Sequence, residues 1–193
     1  QKMLELNEDS VDIRVLTSIG NCHRKLKTFE QGMYYFQREL RMDADNFYAL
    51  FGLADCYRGM NQQFRSVEYW NKILDKDPNN KVILTRAGDA YRNMGDYDMA
   101  QDYYQRALDI EFDVYAVLGL AMISKIQGRF EESATSLQRL IQSDPKNYRL
   151  YLEVAECYVN LGDRQRALAT LQEFQKLGIR NQLVAEMLDK LKA

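Results

Sequence analysis

Proline and glycine are scarce in this chain of 193 residues, with two prolines and ten glycines. All-β folds built on tight turns use both freely, so a sandwich or barrel is disfavoured. A single histidine, His23, leaves no Ser-His-Asp or Cys-His pair and no ligand cluster for a metal. Gly52, Gly59 and Gly119 fall inside helical patterns rather than in a phosphate-binding loop. Neither sign of charge is in excess: 26 Lys+Arg face 28 Asp+Glu, a net charge of −2. Nucleic-acid binders usually carry a basic excess or face, so none is expected as a partner. The longest stretch without a charge, Val114 to Ser124, is eleven residues, against the roughly 20 that a membrane helix needs. No charged segment followed by an apolar core opens the chain, and it starts on Gln1, which leaves a removed leader open. With 46% hydrophobic residues the composition is that of a folded chain.

What the chain has is self-similarity. Leu53-Ala54-Asp55-Cys56-Tyr57 returns as Ala87-Gly88-Asp89-Ala90-Tyr91 after 34 residues and as Val154-Ala155-Glu156-Cys157-Tyr158 after a further 67. Asp77-Pro78-Asn79-Asn80 and Asp144-Pro145-Lys146-Asn147 are also 67 apart. The frame is 13–46, 47–80, 81–113, 114–147 and 148–181, with one residue missing from the closing loop of the third copy.

Two places within each copy are always small. The eighth holds Gly20, Ala54, Gly88, Ala121 and Ala155, and the twentieth holds Gly32, Ser66, Ala100, Ser133 and Ala167. Small residues there let two helices of a hairpin approach closely. Large ones fill the fourth place, from Leu16 to Tyr151, and the twenty-fourth: Phe36, Trp70, Tyr104, Leu137 and Leu171. Places four, seven, eight and eleven share one helical face, as do twenty, twenty-four and twenty-seven. Gly95, Gly128 and Gly162 at place fifteen mark a helix end that needs a left-handed residue, and Asn61 substitutes acceptably. Lys27 does not, so the first turn is less well specified.

These residues resemble the tetratricopeptide repeat, with its W-x₂-L-G-x₂-Y, A-x₃-F and P signature. The resemblance spans residues 13–181. Departures are His23 and Ser124 at the aromatic eleventh place, Glu39 where the third copy has Ala107, and Phe64 one place late. It implies an all-α fold: a right-handed α-solenoid of antiparallel helix hairpins, five repeats long.

Residues 1–12 read as a tail or as the remnant of a preceding repeat, since Met3 to Asn7 resembles the close of a second helix, Ala107 to Glu111. Residues 182–193 break the repeat, with Asp189 at an obligatory small place, and Val184, Met187, Leu188 and Leu191 form an apolar stripe. A C-terminal capping helix with a polar outer face is expected there, near Leu168 and Leu171. Cys22, Cys56 and Cys157 all occupy place ten and are expected as reduced, buried core residues. They fit a reducing, cytoplasmic setting without demanding it, and a periplasmic one is also open.

No catalytic constellation stands out, and no cofactor is expected. The resemblance implies that the first helix of each copy lines a concave face, with places two, five, nine and twelve pointing into it. Candidate contacts are Asn21 and Arg24; Tyr48, Phe51, Asp55 and Arg58; Thr85, Asp89 and Arg92; Tyr115, Leu118, Met122 and Lys125; and Leu152 and Glu156. Place twelve is basic in four consecutive copies, a column of charge, though i, i+3 pairing of Asp55 with Arg58 and Asp89 with Arg92 explains part of it equally well. A terminal-carboxylate clamp of the cochaperone kind is not expected: Asn21 matches one position, while Thr17, Gly52, Val82 and Asp89 do not supply the rest. The expected role is a non-catalytic protein–protein interaction scaffold that holds a peptide segment or helix. Alternatives are a substrate-recruiting region of an enzyme and a self-association module using Val15, Leu16 and Ile19 at the N-terminal edge.

Overall fold

The computed structural model describes residues 12–192. Among them the helices are α1 (Ile13–Lys25), α2 (Phe29–Met42), α3 (Phe47–Gly59), α4 (Gln63–Lys76), α5 (Lys81–Met94), α6 (Tyr97–Ile110), α7 (Val114–Ile126), α8 (Phe130–Ser143), α9 (Tyr148–Asn160), α10 (Arg164–Lys176) and α11 (Gln182–Lys192), and no strand occurs among the described residues. The chain forms two compact units, Gln1–Ile110 and Glu111–Ala193. The expected tail or repeat remnant lies, except for Asp12, outside the described residues.

Short Asn and Asp side chains cap the start of several helices. Asn46 accepts from the Ala49 amide at 3.1 Å, Asn80 from Ile83 at 3.2 Å, Asp113 from Ala116 at 2.9 Å and Asp163 from Arg166 at 2.9 Å. Each satisfies an amide that has no partner inside its helix. The hairpin turns close in the left-handed region, with φ of 84° at Gly95, 78° at Gly128 and 76° at Gly162. Lys27 and Asn61 adopt φ of 59°, so the first turn takes the same conformation despite its lysine. That costs a residue with a Cβ about 1–2 kcal/mol.

Within the first unit the small places bring backbones together. Ser66 Oγ donates to the Ala54 carbonyl oxygen at 2.8 Å. A Cβ on Gly32 would stand 3.1 Å from the Gly20 carbonyl oxygen. Phe36 fills the space between: a Cβ on Gly20 would meet its ring at 2.7 Å, and one on Gly52 at 2.4 Å. Place twenty-four therefore packs on place eight of its own copy and on place six of the next. Phe36, Trp70 and Tyr104 are all fully buried there. At place eleven, His23 lies stacked 5.6 Å from Tyr35, as Tyr57 lies on Tyr69 at 5.6 Å and Tyr91 on Tyr103 at 5.2 Å. The histidine thus keeps the ring contact of the aromatic it replaces.

Place ten stacks on place twenty of the preceding copy. A Cβ on Gly32 would touch Cys56 Sγ at 3.4 Å, and Cys157 Sγ lies 3.5 Å from Ser133 Oγ. This rule corrects one expectation. Cys56 and Cys157 are buried, but Cys22 is exposed, because no preceding hairpin among the described residues lies over it. Val15 and Leu26 on the same helix are 45% and 73% exposed, whereas Leu16 faces inward and is fully buried.

In the second unit one core joins α7 to α11. Leu137, Tyr151, Leu171 and Phe174 share it with Val184 and Leu188 of α11, while Met187, Leu191 and Leu168 pack at its edge. Burying one such side chain contributes roughly 1.5–3 kcal/mol, so α11 is tied down by its apolar stripe.

Candidate interaction surface

In the first unit, α1, α3 and α5 each bring an arginine to one carboxylate. Asp55 on α3 is only 6% exposed. Its Oδ1 accepts from Arg58 Nε at 3.0 Å, Arg58 Nη2 at 2.7 Å and Arg86 Nη1 at 3.0 Å. Its Oδ2 accepts from Arg24 Nη1, and Arg24 Nε also donates to Asn21 Oδ1 at 3.1 Å. The pairing of Asp55 with Arg58 along one helix is thus a fraction of the arrangement. Three guanidinium groups surround a single buried carboxylate, and Asp89 adds a further counter-charge felt by Arg86. Burial pulls the Arg86 pKa below the ordinary arginine value, and the neighbouring Asp55 opposes that shift.

Beside the arginines runs a series of rings from solvent to core. Tyr48 meets Phe47 at 5.6 Å, Phe47 meets Phe51 at 5.9 Å and Phe51 meets Trp70 edge-on at 5.2 Å. Tyr48 is 64% exposed and Trp70 fully buried. Arg86 lies over both inner rings, 5.0 Å from Phe51 and 5.8 Å from Trp70. Phe51 is therefore a partly covered link in the series, and Tyr48 is the open ring. Thr85, expected as a contact residue, is buried, and its Oγ1 has no hydrogen-bond partner among the described residues. Asp89 accepts the Tyr104 hydroxyl at 2.6 Å and lies 3.8 Å from Arg92 Nη2, which occupies much of its capacity. Burial, reinforced by Asp89, pushes the Tyr104 hydroxyl pKa upward.

The second unit repeats the theme with one lysine. Lys125 Nζ on α7 bridges Glu153 at 2.6 Å and Glu156 at 2.8 Å on α9. Burial depresses the Lys125 pKa, but the hydrogen bonds to both glutamates outweigh it and hold the value above normal. Tyr115 is 70% exposed. Leu118, Met122 and Leu152, expected as open apolar contacts, pack partly buried against the unit's own core, so scaffold packing accounts for much of their hydrophobicity.

Arg86, Phe47 and Glu153 were not singled out by the sequence reasoning. Arg86 and Glu153 occupy place six, which faces place twenty-four of the preceding copy. Gly52 under Phe36 reveals that contact, and Arg86 against Trp70 exploits it. Glu39 is a further surprise: fully buried on α2, its Oε2 lies 2.9 Å from Thr17 Oγ1, and Oε1 is without a partner among the described residues.

No group of His, Cys, Asp and Glu that could hold a metal occurs among the described residues, and none of their helices is long and apolar enough to cross a membrane. The arrangement is a surface of paired charges and graded rings on stacked helical hairpins, the form of a helical-repeat interaction module. Models of the tetratricopeptide repeat match residues 48–80, 83–114 and 126–176. The chain belongs to the tetratricopeptide repeat family, whose members are generally non-catalytic protein–protein interaction modules. No curated protein matches the chain. Among solved structures it is similar to MamA, at 19% identity and a TM-score of 0.76, over 85% of this chain and 90% of that one. It is also similar to YrrB, described as a repeat protein with an unusual peptide-binding site, at 18% identity and a TM-score of 0.72, over 98% and 96% of the two chains. A third likeness is to PilW, described as a type IV pilus biogenesis factor, at 17% identity and a TM-score of 0.76, over 93% and 85%. At these identities the likeness speaks for the fold.

Proposed function

We propose that the chain is a scaffold that binds a segment of another protein on first helices of its hairpins, with α1, α3 and α5 of the first unit supplying the site. One observation carries this reading: three successive first helices direct arginines to a common point, from which a series of rings leads out to the open Tyr48. Core packing does not require charged groups from three helices to converge, and it leaves the three arginines with Asp55 as their shared ion-pair partner. Exposed rings next to such groups are suited to anchoring a partner, since a few aromatic and arginine residues supply most binding energy at interfaces. YrrB supports the reading by analogy, as a fold of the same kind with a peptide-binding site. The test is titration of a partner, recovered by affinity capture and then purified, against Tyr48→Ala and the double variant Arg58→Glu/Arg92→Glu. Tyr48→Ala weakens binding at every salt concentration, and the charge reversal weakens it most at low salt, where screening is least. Unchanged affinity in both folded variants would move the site elsewhere.

A second reading is self-association through α1, favoured by the exposure of Val15, Cys22 and Leu26. Sedimentation that varies with protein concentration, and that Val15→Glu abolishes, would establish it.

A further inference from the structure

We infer that the Asp55 cluster is a socket for an acidic side chain from within the partner segment, paired with an apolar side chain on Tyr48 and Phe47. The inference rests on the first-helix reading above and specifies the chemistry it recognises. The donors around Asp55 are not exhausted. Arg24 Nη2, Arg58 Nη1, and Arg86 Nε and Nη2 make no hydrogen bond among the described residues, although each belongs to a guanidinium already oriented by Asp55. A guanidinium held on one edge offers its other edge at little further entropic cost, because its rotamer is already fixed. The two oxygens of Asp55 are shared among three cations, and Asp89 adds only a further counter-charge felt by Arg86. One incoming carboxylate would accept from the free donors, and a cation would be repelled.

Apolar surface accompanies these free arginine donors. Beside them, Phe47 and Tyr48 remain 41% and 64% exposed and offer ring surface to an apolar neighbour of the acidic residue. Phe51 separates the two features: Arg86 lies 5.0 Å from its ring on one side and Phe47 5.9 Å on the other. Together these separations span up to about 11 Å, the reach of about three residues of extended peptide. The recognised element is therefore an Asp or Glu close to Phe, Tyr or Leu. It is an internal side chain, since the carboxylate of a chain end would bring no apolar neighbour beyond it.

The test is an array of synthetic peptides, each in a C-terminally amidated and a free-acid form, in which acidic, basic and apolar residues vary independently, probed with the full chain. Peptides with an acidic residue about three positions from an apolar one bind, and replacing the acidic residue with Lys abolishes binding. Arg86→Gln lowers their affinity about tenfold, as expected for a lost charge-assisted hydrogen bond. The lysine-substituted peptides need no variant protein, so the result stands even if Arg86→Gln disturbs the fold. Binding that depends on Tyr48 but shows no preference for acidic residues would overturn this inference and leave the first-helix reading intact. Binding only of peptides with a free C-terminal carboxylate would overturn it as well. Peptide binding that is indifferent to Tyr48 and to Arg86 would overturn both.

Discussion

Arg86 on α5 donates to Asp55 on α3 at 3.0 Å across a separation of 31 residues. Arg24 on α1 reaches the same carboxylate from 31 residues on the other side. Asp55 is thus the fixed point of three consecutive hairpins. Removing its charge while keeping its shape leaves the arginines facing one another. Asp55→Asn is expected to lower stability by about 2 kcal/mol, below the value for a fully buried pair because the arginines are partly wetted. A urea midpoint unchanged from the unsubstituted protein would show that the cluster contributes only to binding.

The first hairpin turn holds Lys27 at φ 59°. Glycine adopts that conformation without the contact between Cβ and carbonyl that lysine suffers. Lys27→Gly is expected to stabilise by about 1 kcal/mol, and Asn61→Gly by less, since asparagine tolerates the region better. Thermal denaturation of the two variants side by side checks the order.

Glu39 predicts a pH dependence. Burial raises its pKa above the ordinary 4.5, with the Thr17 hydrogen bond opposing. Thr17 Oγ1 donates to Glu39 Oε2 at 2.9 Å, which favours the ionised form but does not overcome burial. The unfolded chain ionises first as pH rises. The contribution of Glu39 to stability is therefore full below about the ordinary value and falls as pH climbs towards the raised folded one. Glu39→Gln removes this slope and is expected to make the protein relatively more stable at neutral than at acid pH. Stability profiles of the two proteins that run parallel across that range would contradict the assignment.

The cysteines differ in reactivity. Cys22 is exposed, while burial pushes the Cys56 thiol up to about 12 and also raises that of Cys157. Thiolates are the reactive form. Native protein should take up one equivalent of a maleimide quickly, at Cys22, and the other two only on unfolding; peptide mass mapping identifies the site.

The hairpins were legible because small residues at places eight and twenty and rings at place twenty-four recur, and periodic packing needs periodic residues. The place-ten cysteines were read correctly as core residues where a preceding hairpin exists. They misled at Cys22, whose burial depends on a neighbour rather than on its own helix. Arg24, Arg58 and Asp55 were visible as a charge pattern. Arg86 was not, because place six varies freely, from Gly52 to Arg86 to Glu153, and only three-dimensional contact ties it to Trp70 and Asp55. Phe51 and Leu118 looked open by spacing alone, but periodicity says which helical face a residue shares, not whether a neighbouring side chain covers it. Phe64, one place late, is 70% exposed, as its displaced register requires.

The proposed site puts partners on the first helices and not on the second. Site-specific photo-crosslinking tests it most directly, with a benzophenone amino acid replacing either Tyr48 on α3 or Phe64 on α4. Both positions are open, at 64% and 70% exposure, so substitution should leave the fold undisturbed. With a purified partner, the account predicts a crosslinked product from position 48 that unlabelled partner competes away, and none from position 64. Crosslinking from position 64 with none from position 48 would contradict it.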